Sequence, residues 1–442
     1  MIPRRPSKKR RSTSPAGQDA TSTRNPVSGL SLPTWATRSL WLIPLLAVIL
    51  FYLVLKMFTM HAYAGDEHIY LYQAKLVAAG AIPYADFAMA HPPFQTLFTA
   101  FVFEIFDYHF LLGRALPVAW CLLGALGLTI LVRREHGDLA AVAAATLYLL
   151  GYEPLRASSH YTGVNMTIAL LVFAVLAYRR NAIRTAALIS VLAVFTRLYA
   201  APGVLMLALY AVVVRPRQGL QLIAWGAGLG IAALLAVGLW TGFDNMFHNL
   251  LLYHAQKTPM SEASLSGMQH RILFHNALEI ALFALAQVAM AATLLHTFLR
   301  SDMKRYPRLL GRLKSAFAQS GLGLVVLSSC IAIVFLAVLT SMDRVWMYYF
   351  VPSFPFAAVA SGWLISKWGG AGLRLVRSRG NLRRSDLSPT AFAGGITLLA
   401  LLVVSVLASP QLEANLTYYK KALKKPPSER IHGYTWRPGL LP

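Results

Sequence analysis

Long apolar runs alternate with short basic connections along almost the whole chain of 442 residues. The runs fall near 39–60, 110–132, 139–153, 162–178, 185–198, 201–214, 220–241, 272–299, 321–341, 345–366 and 390–409. A helix needs roughly 20 apolar residues to cross a ~30 Å hydrocarbon core, and most of these runs approach that length. The pattern predicts an all-α polytopic membrane bundle of about eleven transmembrane helices over 39–409. Residues 1–38, rich in Ser, Thr, Pro and Arg, read as a disordered basic cytoplasmic tail rather than a cleaved signal. Residues 410–442 form a short tail on the other side.

Two stretches depart from a simple span. In 93–106, Phe94, Leu97, Phe98, Phe101, Val102, Ile105 and Phe106 repeat at the spacing of one helix face, while Gln95, Thr96, Thr99 and Glu104 take the other. Pro93 suits a helix start. About 14 residues reach only ~21 Å, so this helix is expected to lie along the outer interface. In 188–214, two apolar runs flank Thr196-Arg197-Leu198-Tyr199 and Pro202. Arg197 therefore falls below the outer membrane surface. An ionisable residue there is either functional or a side chain snorkelling to headgroups.

Composition narrows the class. Hydrophobic residues make up 57 % and charged residues 13 % of the chain, against about 25 % charged in soluble domains. A soluble enzyme, a secreted disulfide scaffold and a disordered chain are all excluded. Cys121 and Cys330 both sit inside apolar runs and read as small buried hydrophobes. The net charge of +24 could suggest nucleic acid. Its placement argues against that, because 27 of the 41 Lys and Arg lie in 1–38, 133–138, 179–184, 215–217, 300–314 and 367–384. These are the connections on one side, which the positive-inside rule makes cytoplasmic. The N-terminus is then inside, and the loop 61–109 faces out.

That loop holds the densest candidate chemistry. It begins His61-Ala62-Tyr63-Ala64-Gly65-Asp66-Glu67-His68-Ile69-Tyr70. Asp66 could cap a helix running to about Ala79, with Gly80 as its stop and Pro83 beyond. Two adjacent acids, in a chain with only 17, exceed what a cap requires. Their proximity is expected to raise one of the two pKa values, which would suit a general base. Asp86 and His91 follow in Pro83-Tyr84-Ala85-Asp86-Phe87 and His91-Pro92-Pro93.

Asp66-Glu67, Tyr70, Gly80, Pro83-Tyr84, Asp86-Phe87 and His91-Pro92-Pro93 together resemble the first outer loop of the GT-C glycosyltransferases. The similarity points to the branch of protein O-mannosyltransferases, the lipid A aminoarabinose transferase and the Rgt-type envelope transferases. Arg114, Phe195-Thr196-Arg197 with Pro202, Tyr253-His254, and Arg344 through Tyr348-Tyr349-Phe350-Val351-Pro352 resemble later family positions. The resemblance implies about a dozen helices, flat helices in the first outer loop, a polyprenyl-phosphate sugar donor, and the first acid of the loop, Asp66, as catalytic base. Where members often carry an acid-Lys pair, this chain has Ala90-His91. Where they carry Thr-Asp-Pro, it reads Tyr161-Thr162-Gly163-Val164-Asn165.

The expected reaction is an inverting transfer of a sugar from a polyprenyl-phosphate lipid to an acceptor hydroxyl on a glycan, lipid or protein. It would take place at the outer face of the plasma membrane, in envelope assembly. Asp66 and Glu67 are the catalytic candidates. Asp86, His91, Arg114, Arg156, His160, Arg197, His254, Arg344 and Tyr348 are the substrate-binding candidates, the cations among them to meet the leaving phosphate. Arg156 and His160 could flank the acceptor or cap a span end. A divalent metal is conceivable among the outer histidines, but no pair has zinc-protease spacing, and no cofactor is assigned. Membrane lipids are expected partners; nucleic acid is not. A flippase of a lipid-linked sugar would instead favour inverted repeats and mid-membrane charges. A non-catalytic assembly partner would keep the fold alone.

Overall fold

The computed structural model describes residues 41–59, 66–256, 261–300, 315, 317, 319–340 and 349–379. The two predicted tails, the predicted span at 390–409, Arg344 and Tyr348 lie outside the described residues, as does the side chain of His254. Among the described residues the regular elements are helices joined by turns and loops, with one isolated bridge between Pro83 and Phe87.

The first helix, α1 (Leu42–Thr59), is followed by α2 (Glu67–Ala78) and α3 (Phe94–Phe106). The bundle continues with α4 (Phe110–His136), α5 (Asp138–Leu150), the short α6 (Tyr152–Ala157), α7 (Val164–Arg179), α8 (Ile183–Thr196), α9 (Ala201–Val214) and α10 (Pro216–Thr241). Then come α11 (Phe243–Phe247), α12 (Glu262–His275), α13 (Ala277–Arg300), α14 (Gly323–Thr340) and α15 (Phe354–Arg379). By length and composition α4, α10 and α13 could each cross a membrane, and α1, α5, α7, α8, α9 and α14 are shorter apolar helices.

The core forms where small residues let backbones approach. The alanine-rich α5 is buried on every side from Ala140 to Leu150 and packs on α15, α4 and α1. Gly362 of α15 sits against it, where a Cβ would lie 2.6 Å from the Ala140 carbonyl. On α7, every residue from Val164 to Tyr178 except Phe173 is buried, between α4 and α8. A helix apolar on all faces must be central or lipid-facing. Accordingly α10 is the opposite case: Leu220, Ile231, Leu235 and Leu239 are all exposed, Leu239 at 79 %.

Several predicted boundaries shift for local reasons. The run at 139–153 stops at Leu150, because Gly151 turns the chain into α6. The run at 272–299 is broken at Asn276, which separates α12 from α13. The run at 345–366 has a tight turn at Val351–Ser353, containing Pro352, before α15 begins. In α3 the predicted faces are real, but it is the polar one that packs inward. Gln95, Thr96 and Thr99 are buried, while Phe101, Ile105 and Phe106 point out.

Candidate active site

The break between α8 and α9 is built from ordinary backbone rules. Thr196 turns its hydroxyl back onto the Leu192 carbonyl (2.8 Å) at the helix end. Arg197 is extended (φ −151°, ψ 126°), and a tight turn at Leu198–Ala200 leads into α9. Pro202 sits in the first turn of α9, where its missing N–H costs nothing. The result is a buried arginine, only 3 % exposed, at the seam of two helices.

Arg197 Nε donates to the Thr162 carbonyl at 2.9 Å. Its guanidinium lies over the Tyr70 ring, 4.8 Å from the centroid. Among the described residues no carboxylate lies within salt-bridge distance of it. The close approach depends on Gly163, held at φ +77°, where a Cβ would fall 2.2 Å from Gln95 Oε1 and 3.0 Å from Arg197 Nε. Glycine is the residue that tolerates both the left-handed turn and the crowding.

Tyr70 connects this arginine to the first loop. Its hydroxyl shares a hydrogen bond with His91 Nε2 at 3.1 Å. Tyr84, at φ +66°, donates its hydroxyl to the His91 carbonyl at 2.7 Å. Met89 N–H donates to Asn249 Oδ1 at 3.1 Å, tying the loop to the segment after α10. Asp86 is exposed, and its carboxylate accepts the Ile82 N–H at 2.7 Å, closing a turn.

Asp66 and Glu67 part company at the start of α2. Asp66 occupies the cap position, yet its side chain makes no capping hydrogen bond and is exposed. It stands one turn before Tyr70. Glu67 is buried, 1 % exposed, and takes the Arg114 guanidinium through Nε at 2.9 Å and also through Nη2. Its other oxygen accepts the Tyr161 N–H at 3.3 Å. Burial raises the Glu67 pKa, and Arg114 and that amide oppose the rise. The expected interplay of two neighbouring acids is thus replaced by a partition: Glu67 turns to a cation in the core, and Asp66 faces out.

Arg156 reaches back to Glu153, 2.9 and 2.8 Å from its Nε and Nη2, so this cation is neutralised locally. His160 lies beside it. Its pKa is lowered to about 3, first by burial and then by Arg156, Arg114 and Lys56. Lys56 is a residue the sequence reading did not single out. It is buried, 3 % exposed, and donates to the Leu155 carbonyl and to Ser159 Oγ (2.9 Å). A lone lysine within an apolar run was the signal for it. The His254 backbone lies in the short helix Tyr253–Ala255. No cluster of three metal-ligating side chains occurs among the described residues.

Asp66, Tyr70, His91 and Arg197 thus form one continuous wall, with Glu67 and Arg114 behind it. Arg156, His160 and Lys56 gather around the 153–160 segment, and the Asp86 carboxylate is turned to the Ile82 amide.

The fold is similar to that of ArnT from Cupriavidus metallidurans. With undecaprenyl phosphate bound, that protein matches at TM-score 0.53 and 16 % identity, over 86 % of this chain and 74 % of its own. In the apo state it matches at TM-score 0.54 and 15 % identity, over 87 % and 74 %. The apo oligosaccharyltransferase of Archaeoglobus fulgidus gives TM-score 0.50 and 16 % identity, over 86 % of this chain and 56 % of that one. A search of curated protein sequences gives no match. The architecture is that of a GT-C membrane glycosyltransferase. Residues 90–326, more than half of the chain, match the sequence profile of glycosyltransferase family 87, and the protein belongs to that family. The matched stretch includes His91, Arg114, Arg156, His160, Arg197 and His254; Asp66, Glu67, Asp86, Arg344 and Tyr348 fall outside it.

Proposed function

We propose that this glycosyltransferase moves a sugar from a polyprenyl-phosphate donor to an acceptor hydroxyl at the outer face of the plasma membrane, with inversion, in envelope assembly. One observation carries the reading. Arg197 is a buried guanidinium with no carboxylate beside it among the described residues, in the same wall as the exposed acid Asp66. A buried cation left without a fixed counter-ion is costly unless an anion arrives with the substrate. The donor phosphate is that anion. ArnT, whose fold is similar, has been captured with undecaprenyl phosphate. The excess of Lys and Arg on the opposite connections supports an outward-facing site.

In this reaction the acceptor oxygen attacks the anomeric carbon, and Asp66 takes its proton. The bond from that carbon to the phosphate oxygen breaks, and the electron pair leaves with polyprenyl phosphate. Arg197 meets the charge growing on that oxygen, and Tyr70 and His91 hold the guanidinium face in place. Glu67 anchors α2 through Arg114 and so positions Asp66. Asp86 braces the turn before His91. His254, Arg344 and Tyr348 complete the donor or acceptor side.

The test is transfer from a synthetic polyprenyl-phosphate sugar. Arg197→Ala should lower the rate by ~10²–10³, as for loss of one preorganised donor to a transition-state charge, with thermal stability kept. Arg197→Lys, which retains charge without the planar fork, should fall between. Unchanged donor saturation in Arg197→Ala would reduce Arg197 to a snorkelling side chain.

A further inference from the structure

At the other end of α8, far from the candidate active site, the surface opens into a groove of about 350 Å³. It is lined by Asn181, Ile183, Arg184 and Thr185 on one side and by Gln221 and Trp225 of α10 on the other. The 14 residues of α8 separate it from Arg197 by ~21 Å. Arg184 lies over the Trp225 ring, 4.9 Å from the centroid. Asn181, in the left-handed conformation (φ +59°), turns its side-chain oxygen to Arg215.

Charge around the groove is one-signed. Arg180, Arg184, Arg215 and Arg217 have no carboxylate within salt-bridge distance among the described residues. Two other arginines at this end are matched: Arg179 pairs with Glu135 and Arg133 with Asp138. Further along α10, on the helix face that carries Gln221 and Trp225, Gly228, Ala232, Leu235 and Leu239 are exposed. A polar, cationic opening thus continues into an uncovered hydrocarbon-like face.

We propose that this groove binds an anionic glycerophospholipid. Its phosphate would sit on Arg184 beside Arg215, its headgroup hydroxyls would meet Asn181, Thr185 and Gln221, and its acyl chains would lie along α10. A soluble anion would use the arginines but leave the α10 face bare, so the lipid accounts for both halves of the feature. Trp225 belongs at such a boundary, with an apolar body and a polar edge. The assignment is independent of the chemistry at Arg197.

The test uses the full chain, delipidated in detergent, with phosphatidylglycerol and phosphatidylcholine of identical acyl chains titrated in native mass spectrometry. Phosphatidylglycerol should bind more tightly. Arg184→Gln should weaken it about fivefold, the scale of one arginine at an anionic surface, and Gln221→Leu should weaken it as a second, uncharged probe. Arg133→Gln is the control. Arg133 also stacks on a tryptophan at this end, 4.2 Å from the Trp41 centroid, but is paired with Asp138 and does not line this groove, so its removal should leave binding unchanged. Equal retention of the two lipids, or an equal loss in Arg133→Gln, would overturn the site. Inorganic phosphate alone should not raise the thermal midpoint. A rise equal to that given by the lipid would overturn the lipid as occupant.

Discussion

Arg114 and Arg197 are buried to 1 % and 3 % exposure, yet they belong to opposite kinds of region. Arg114 faces Glu67 across a closed ion pair, with the Tyr161 amide taking the second carboxylate oxygen. Both Nε and Nη2 of Arg114 are turned to that carboxylate. Arg197 has a carbonyl and an aromatic face, and no counter-charge among the described residues. The neighbouring acids repeat the contrast, since Glu67 is spent inside the protein and Asp66 is left outside. Burial and charge alone therefore do not mark a catalytic group. What separates the two regions is whether a carboxylate of the protein faces the cation among the described residues.

The largest expected effect tests the open side. Asn caps a helix about as well as Asp, and Asp66 makes no side-chain capping bond in any case. Asp66→Asn should therefore leave the thermal midpoint in place while transfer falls by ~10²–10⁴, the usual range for a lost general base. An active Asp66→Asn enzyme would remove Asp66 from the chemistry, and the distinction between the two acids with it.

The closed side should answer in stability instead. Arg114→Ala leaves Glu67 buried without its cation, a change that costs about 3–5 kcal/mol. Replacing both residues with methionine should recover most of that, because a buried pair is often matched by apolar residues of similar volume. Unfolding in detergent reads both. An Arg114→Ala protein as stable as wild type, but inactive, would move Arg114 to the open side.

What could be read along the chain was what is local. The break at Arg197 was legible because an arginine and Pro202 interrupt an apolar run, and both act within a few residues of themselves. The helix at Phe94–Phe106 was legible from its period. Which of its faces meets protein was not, because lipid is as apolar as a protein core. The exposed phenylalanines and the buried Gln95 and Thr99 follow from that ambiguity. The partition of Asp66 from Glu67 was also out of reach, since Arg114 lies 47 positions away and meets Glu67 only when α2 packs beside α4. Lys56 and the Arg184 groove carry no motif. They appear only when α1 meets the 155–159 turn and α8 meets α10.

Acid provides the finest probe of the contrast. The closed region already holds Arg114, Arg156 and Lys56 around the acids Glu67 and Glu153, and His160 lies among them. Burial and these cations keep its imidazole neutral down to about pH 3, whereas in the unfolded chain it titrates near 6.5. Between those values the unfolded state binds the proton and the folded state does not. Stability from this group is thus complete above about pH 6.5 and is lost as pH falls. From pH 6.5 to 5 the loss is about 1.6 kcal/mol, the slope approaching 1.36 kcal/mol per unit as the unfolded imidazole becomes fully protonated. Glu67 and Glu153, both raised first by burial, run the other way as they gain protons in the folded state. The difference between wild type and His160→Gln isolates the imidazole. Thermal midpoints followed from pH 7 to pH 5 should therefore fall more steeply in wild type than in His160→Gln. Parallel curves would mean that the closed region accepts another positive charge, and that its cations are not fully committed to Glu67 and Glu153.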